Sequence, residues 1–195
     1  MAVVHDALAS LEPKPFAVIN TGIAFGLRPA KQDFGDVLVS EQIRSYELER
    51  RGPVRIARGD RPSSSDILLG WCRDFKADWA SSTADELRPR VHFGLLMSGE
   101  KLSDDSDFVA ELLSAEPEAI GGDMEAAGVY AAAHGHPIYR IHWIIVKAIC
   151  DWGMGKGDTH QEVAAKNAID FVFHVVGQPV VSAAIREFKG RRASG

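Results

Sequence analysis

Cysteine is nearly missing from this chain. Cys72 and Cys150 are the only two in 195 residues, and no Cys-x-x-Cys pair exists, so neither a disulfide framework nor a zinc site of common spacing is expected. No apolar run approaches the ~18 residues of a membrane-spanning helix, and no basic stretch leads into an apolar core at the N-terminus. The chain is accordingly read as cytoplasmic. Positive charge is not in excess. Lys and Arg number 22 against 27 Asp and Glu, for a net charge of -5 and a pI near 5.8. A nucleic-acid or anionic-membrane surface as the main partner is thereby disfavoured. Internal repeats, a Gly-x-Ser-x-Gly elbow and a Walker A loop are also absent. Gly153-Met154-Gly155-Lys156-Gly157 is too short for the last, and no Ser or Thr follows the Lys.

What is present suits one α/β domain. Hydrophobic residues make up 46% and charged ones 25%, an ordinary balance for a packed core of this length. Apolar, β-branched runs predict strands near Phe16–Asn20, Val37–Ser40, Val91–Met97 and Ile141–Ile149. Gly22 and Gly26 read as a tight loop after the first, and the charged stretch 41–51 as a solvated edge. Between the strands lie helical patterns. Asp66 can start a helix with Leu68, Cys72, Phe75 and Trp79 on one face, and Met124–His134 is Ala-rich and closed by Gly135. Thr159-His160-Gln161-Glu162 fits a capping box. Asp104, Asp105 and Asp107 read as first-turn acids of a helix, not as a cation loop. His134 and His136 have no third ligand nearby, so no metal site is expected. The expected architecture is a three-layer α/β/α domain around a central mixed sheet, spanning 1–195 as one unit.

Two carboxylates attract attention. Asp123-Met124-Glu125 opens an Ala-rich helix, and Ala148-Ile149-Cys150-Asp151 ends an apolar strand, where parallel sheets present their ligands. Glu125 and Asp151 could therefore face one cleft. Upstream stand Asn20-Thr21-Gly22-Ile23-Ala24-Phe25-Gly26-Leu27, then Gly35-Asp36-Val37-Leu38-Val39, then Ser98-Gly99-Glu100. With these motifs in this order, from about Phe16 to Val176, the chain resembles the nucleoside phosphorylase and methylthioadenosine/S-adenosylhomocysteine nucleosidase superfamily. It looks most like the nucleosidase-like domains of larger signalling or defence proteins.

The resemblance implies a nucleoside phosphorylase-like fold and cleavage of the N-glycosidic bond of an adenine nucleoside or nucleotide. It implies no cofactor, and a dimer with sites near the interface. Glu125 would hold the ribose hydroxyls, Met124 would pack beneath the sugar, and Asp151 would protonate the purine at N7 as general acid. Asp123, Cys150, Ser98, Gly99, Leu102, Ser103, Thr21, Gly22 and Ala24 would complete the substrate site. Cys150 stands where relatives commonly have Ser, and Leu102 where a ring-stacking Phe is common. The family's first strand, which carries the water-activating Glu of the nucleosidases, has no counterpart here, leaving Glu100 or Asp6 as alternatives. Ile19, Asn20 and Thr21 occupy the stretch where phosphorylases place a phosphate-binding Arg, which favours hydrolysis. The competing readings are a phosphate-dependent phosphorylase and a catalytically impaired binding or oligomerisation module.

Overall fold

The computed structural model describes residues 8, 10–11, 15–47, 49–50, 56–57, 59–82, 89–99, 106–135, 141–153 and 158–193. Its axis is β7 (His142–Asp151), whose Ile, Val and Ala side chains suit a strand buried on both faces. β1 (Ala17–Gly26) runs parallel to β7, with Ala17 opposite His142 and Ala24 opposite Ile149. β2 (Val37–Ser45) lies antiparallel on the other side of β7. β2 then pairs in parallel with β5 (Val91–Ser98), and β5 with β6 (Ala119–Asp123). β6 meets β1 antiparallel over two residue pairs, so the mixed sheet curls and closes in the order β1-β6-β5-β2-β7. A two-stranded ribbon of β3 (Glu49–Arg50) and β4 (Ile56–Ala57) stands apart.

Helices clothe this sheet because strands alternate their faces. Ile144, Val146 and Ala148 of β7 pack on α1 (Asp66–Ser82) and α4 (Gln161–Gly177). Leu68, Leu69, Cys72 and Trp79 supply the first helix, and Ala164, Ala168, Phe171 and Val175 the second. Trp143, Ile145 and Ile149, on the opposite face, cluster with Ala126, Val129, Ala132 and Ala133 of α3 (Ala126–His134). The small side chains of α3 let it lie close to the strands. α2 (Ser106–Ala115) joins a third cluster through Leu112, beside Leu95, Met97 and Tyr46. α5 (Pro179–Ala193) follows α4.

Several expectations need correcting. The supposed Gly22–Gly26 loop is the second half of β1, because pairing with β7 and, at its end, with β6 holds it extended. Residues 41–45 are not a solvated edge but the continuation of β2, with Ile43 buried. Gly121, Gly122 and Asp123 belong to a strand that the sequence, with two glycines, did not announce. Gly135 ends α3 without a left-handed turn, at φ -74°. His160, in a short 3-10 turn, precedes α4 with no side-chain cap, and Gln161 Nε2 instead donates to Asp158 Oδ1 at 2.9 Å. His136, Asp104 and Asp105 lie outside the described residues.

One polar cluster fixes the entry to β2. Asp36 is buried, and its carboxylate accepts hydrogen bonds from Arg90 N (2.7 Å), His92 Nε2 (2.7 Å) and Asp33 N (3.1 Å). Burial pushes this carboxyl up, but those bonds outweigh it and hold it below the ordinary 3.8. Its backbone carbonyl accepts from Ile149 N at 2.9 Å. The cluster thus grips β7 two residues before Asp151.

Candidate active site

A cavity of about 470 Å³ opens where the C-terminal halves of β1 and β7 meet the β6–α3 turn. Thr21, Gly22 and Ala24 line it from β1, Asp123, Met124 and Glu125 from the turn, and Lys147, Cys150 and Asp151 from β7. Phe25, Phe108 and Val109 form an apolar wall, and Gln161 comes from the start of α4.

Strict alternation would send Cys150 and Asp151 to opposite faces, yet both line this cavity. The reason is a bulge. Ala24 pairs with Ile149 but Phe25 pairs with Asp151, leaving Cys150 as the extra residue. Its thiol lies 3.5 Å from Ala24 O and 3.3 Å from Asp151 Oδ2, placed to donate to either. Burial, and then the neighbouring Asp151, push this thiol up to about 12, so it remains a protonated donor at neutral pH. Gly153 N donates to Asp151 Oδ1 at 2.7 Å from a residue at φ +73°, a turn that suits glycine. Both oxygens of Asp151 are therefore oriented by its own neighbours. The wall beside it depends on Gly122, since a Cβ there would collide with the Phe25 ring.

The other end of the cavity is charged. Lys147, 3% exposed in an otherwise apolar strand, reaches Glu125 Oε2 at 2.8 Å and Asp123 Oδ2 at 3.3 Å. An ammonium at such depth is tolerable only when paired. Asp123 is equally buried, and its Oδ1 accepts from Ala126 N (3.1 Å), holding the first turn of α3. Burial raises the Asp123 carboxyl, with Lys147 and the Ala126 amide opposing that rise. The Glu125 side chain is 57% exposed, tethered at one oxygen and open to a ligand. Met124 beside it is 40% exposed and lines the cavity, so it can receive an apolar ligand face.

Of the residues singled out from sequence, Asp151, Glu125, Met124, Asp123, Cys150, Thr21, Gly22 and Ala24 surround this one cavity. Ser98 and Gly99 do not. They line a second cavity of about 600 Å³ on the far side of Met124 and Glu125. There Ser98 Oγ accepts from Ala127 N at 3.0 Å, and Gly99 O accepts from the Tyr46 hydroxyl at 2.7 Å. The Ser98 bond ties the β5 end to α3 and the Gly99 bond ties it to Tyr46, and neither residue lines the first cavity. Leu102, Ser103, Glu100 and Asp6 lie outside the described residues. Among the described residues no group of three His, Cys, Asp or Glu is disposed to hold a metal ion. Lys147, Phe25, Phe108, Val109 and Gln161 were not singled out by sequence reasoning. Lys147 had a readable signal, a lone charge inside Ile144-Ile145-Val146-Lys147-Ala148-Ile149.

This arrangement can be set against known proteins. A model of the phosphorylase superfamily matches residues 1–176. The chain belongs to that superfamily. A death domain-containing ATP nucleosidase of Amphimedon queenslandica is 28% identical over 181 residues, covering 83% of this chain and 33% of the relative. A 5'-methylthioadenosine/S-adenosylhomocysteine nucleosidase of Haemophilus influenzae is 28% identical over 180 residues, 90% of this chain and 74% of the relative. The chain thus spans a third of the first and about three quarters of the second. Among solved structures, the 5'-methylthioadenosine/S-adenosylhomocysteine nucleosidase of Neisseria meningitidis superposes with a TM-score of 0.71 at 24% identity. That match covers 90% of this chain and 74% of the other. It confirms the nucleoside phosphorylase-like α/β fold expected from sequence.

Proposed function

We propose that this chain is a purine nucleosidase, hydrolysing the N-glycosidic bond of an adenine nucleoside or nucleotide. One observation carries the reading: a single cavity holds an oriented carboxyl, Asp151, at its apolar end and a half-open carboxylate, Glu125, over Met124 at the other. The first end suits a purine, with Phe25 and Phe108 beside the ring system and Asp151 at its edge. The second suits ribose. Cleavage places positive charge on the sugar and negative charge on the departing base. Asp151 meets the second by delivering a proton to N7, and Glu125 the first through charge-assisted hydrogen bonds that tighten as the ring flattens. Lys147 and Asp123 act on the sugar side by fixing Glu125 and the start of α3. The names of the relatives, which include methylthioadenosine/S-adenosylhomocysteine and ATP nucleosidases, support an adenine-bearing substrate.

Incubation of the purified protein with adenosine, methylthioadenosine, S-adenosylhomocysteine and ATP, each with and without phosphate, tests the reaction. Release of adenine and free sugar at equal rates in both buffers is expected. Release only with phosphate identifies a phosphorylase, and binding without release identifies an impaired binding module. The working form is proposed to be a dimer, as the family resemblance implies, and cytoplasmic, on the sequence reading. Sedimentation as a stable monomer at micromolar concentration counts against the dimer. Among the described residues no single helix is long and apolar enough to cross a membrane.

A further inference from the structure

We propose that Asn20 is a sugar-binding residue whose carboxamide oxygen accepts a hydrogen bond from one ribose hydroxyl, making the site selective for ribonucleosides over one deoxynucleoside. The inference rests on the nucleosidase reading and extends it to a residue and a specificity. Three observations point the same way. First, Asn20 Oδ1 is buried and has no hydrogen-bond partner among the described residues. Buried acceptors are almost always satisfied, and leaving one empty is costly. Second, among the described residues Asn20, Met124 and Glu125 are the three that line both cavities. Asn20 therefore borders the same junction as the two residues assigned to the sugar. Third, Lys147 on the neighbouring strand is already engaged. Lys147, opposite Gly22 in the register and two positions along from the Asn20–Ile145 pair, is turned to Glu125 and Asp123.

An asparagine is a poor choice for this place on packing grounds alone. Its neighbours along the strand are Ile19 and Thr21, Val18 and Gly22 share its face, and its strand partner is Ile145. A branched apolar side chain would suit the strand better. A carboxamide oxygen accepts and does not donate, so its partner must carry a donor. The purine lies at the Asp151 end, which leaves the sugar hydroxyls as donors at the junction. Ribose offers a vicinal pair. Glu125 takes one hydroxyl through the oxygen not tied to Lys147, and Asn20 takes the adjacent one.

The experiment compares wild type with Asn20→Leu and Asn20→Asp on adenosine, 2'-deoxyadenosine and 3'-deoxyadenosine. It reads kcat/KM, and Kd for each nucleoside, with free adenine as a binding control. Asn20→Leu is expected to lose about 10-fold to 100-fold on adenosine, the worth of one buried hydrogen bond. Against one of the two deoxynucleosides it should lose nothing, and adenine affinity should be unchanged. Asn20→Asp, which keeps the acceptor, should retain the discrimination. Without ligand, Asn20→Leu should melt no lower than wild type, because an unpartnered acceptor has been removed. Equal losses on all three nucleosides, or a lower unliganded Tm with discrimination intact, would overturn the proposal. Wild type that binds adenosine but releases no adenine defeats the nucleosidase reading alone, since the Asn20 comparison is still read in Kd. Wild type that binds no nucleoside defeats both.

Discussion

The two faces of β7 do different work. Toward α1 and α4 it presents Ile144, Val146 and Ala148, all buried among apolar side chains. Toward α3 and the cavity it begins alike, with Trp143 and Ile145, but then places Lys147 where another aliphatic residue would be cheaper. The bulge at Cys150 adds a further departure by bringing Asp151 to the cavity. The first face is apolar at these positions, and the other gives up an apolar position for a buried charge placed beside an opening. Local rules are broken on the face where function is expected, as is general in proteins.

That contrast is testable by asking which face answers in turnover and which in stability. The largest effect is expected at Asp151. Asp151→Asn should lower kcat by about 10²–10⁴-fold, equivalent to roughly 3–5 kcal/mol of barrier, with KM little changed. Steady-state assay of adenine release checks it, and a loss below about threefold would remove Asp151 from the proton-transfer role.

Lys147→Met should cost about 3–5 kcal/mol in urea denaturation at neutral pH, because Asp123 is left buried without its cation. The loss should shrink as pH falls. Asp123 already has a folded-state carboxyl above its ordinary 3.8, and removing Lys147 raises it further. The folded variant then binds a proton that the unfolded chain does not. Its stability therefore rises as pH drops toward 3.8, relative to wild type. A deficit independent of pH would show that Asp123 does not carry the strain.

On the opposite face, Ile144→Ala should cost about 2–5 kcal/mol through lost burial and a cavity, while kcat of the folded protein stays unchanged. A selective fall in kcat would erase the distinction between the faces.

The smallest effect is expected where the β2 entry grips β7. Asp36→Asn should cost about 1–2 kcal/mol near neutrality, by weakening the bonds from His92 and the Arg90 amide. The folded carboxyl lies below 3.8, so its contribution is complete above that pH and is lost as pH falls through the lower folded value. Stability curves of variant and wild type should therefore converge in acid.

Much of this is legible in residue type and spacing. Helix faces such as Leu68, Cys72 and Trp79, or Ala164, Ala168 and Phe171, follow from a 3.6-residue period, a purely local property. The motifs around Glu125 and Asp151 mark both ends of the cavity for a related reason: a turn into a helix and the end of a buried strand are visible locally. Expectation and fold part where pairing overrides local preference. Gly22 and Gly26 look like a loop, but β7 holds the first extended and β6 the second, and Gly121-Gly122 becomes a strand between β1 and β5.

By itself, then, the sequence determined the α/β class, the faces of the helices and the two carboxylates proposed to carry the chemistry, since each is written in residue type and short-range spacing. Tertiary structure alone decided the rest. Closure of the sheet brought β6 beside β1, and the bulge aimed Asp151 into the cavity with Cys150. The fold also joined Lys147 to Asp123 and Glu125, which lie on separate elements, and assigned Ser98 and Gly99 to a different cavity. These outcomes depend on register and on which buried charges find one another, and neither is fixed until distant strands have paired.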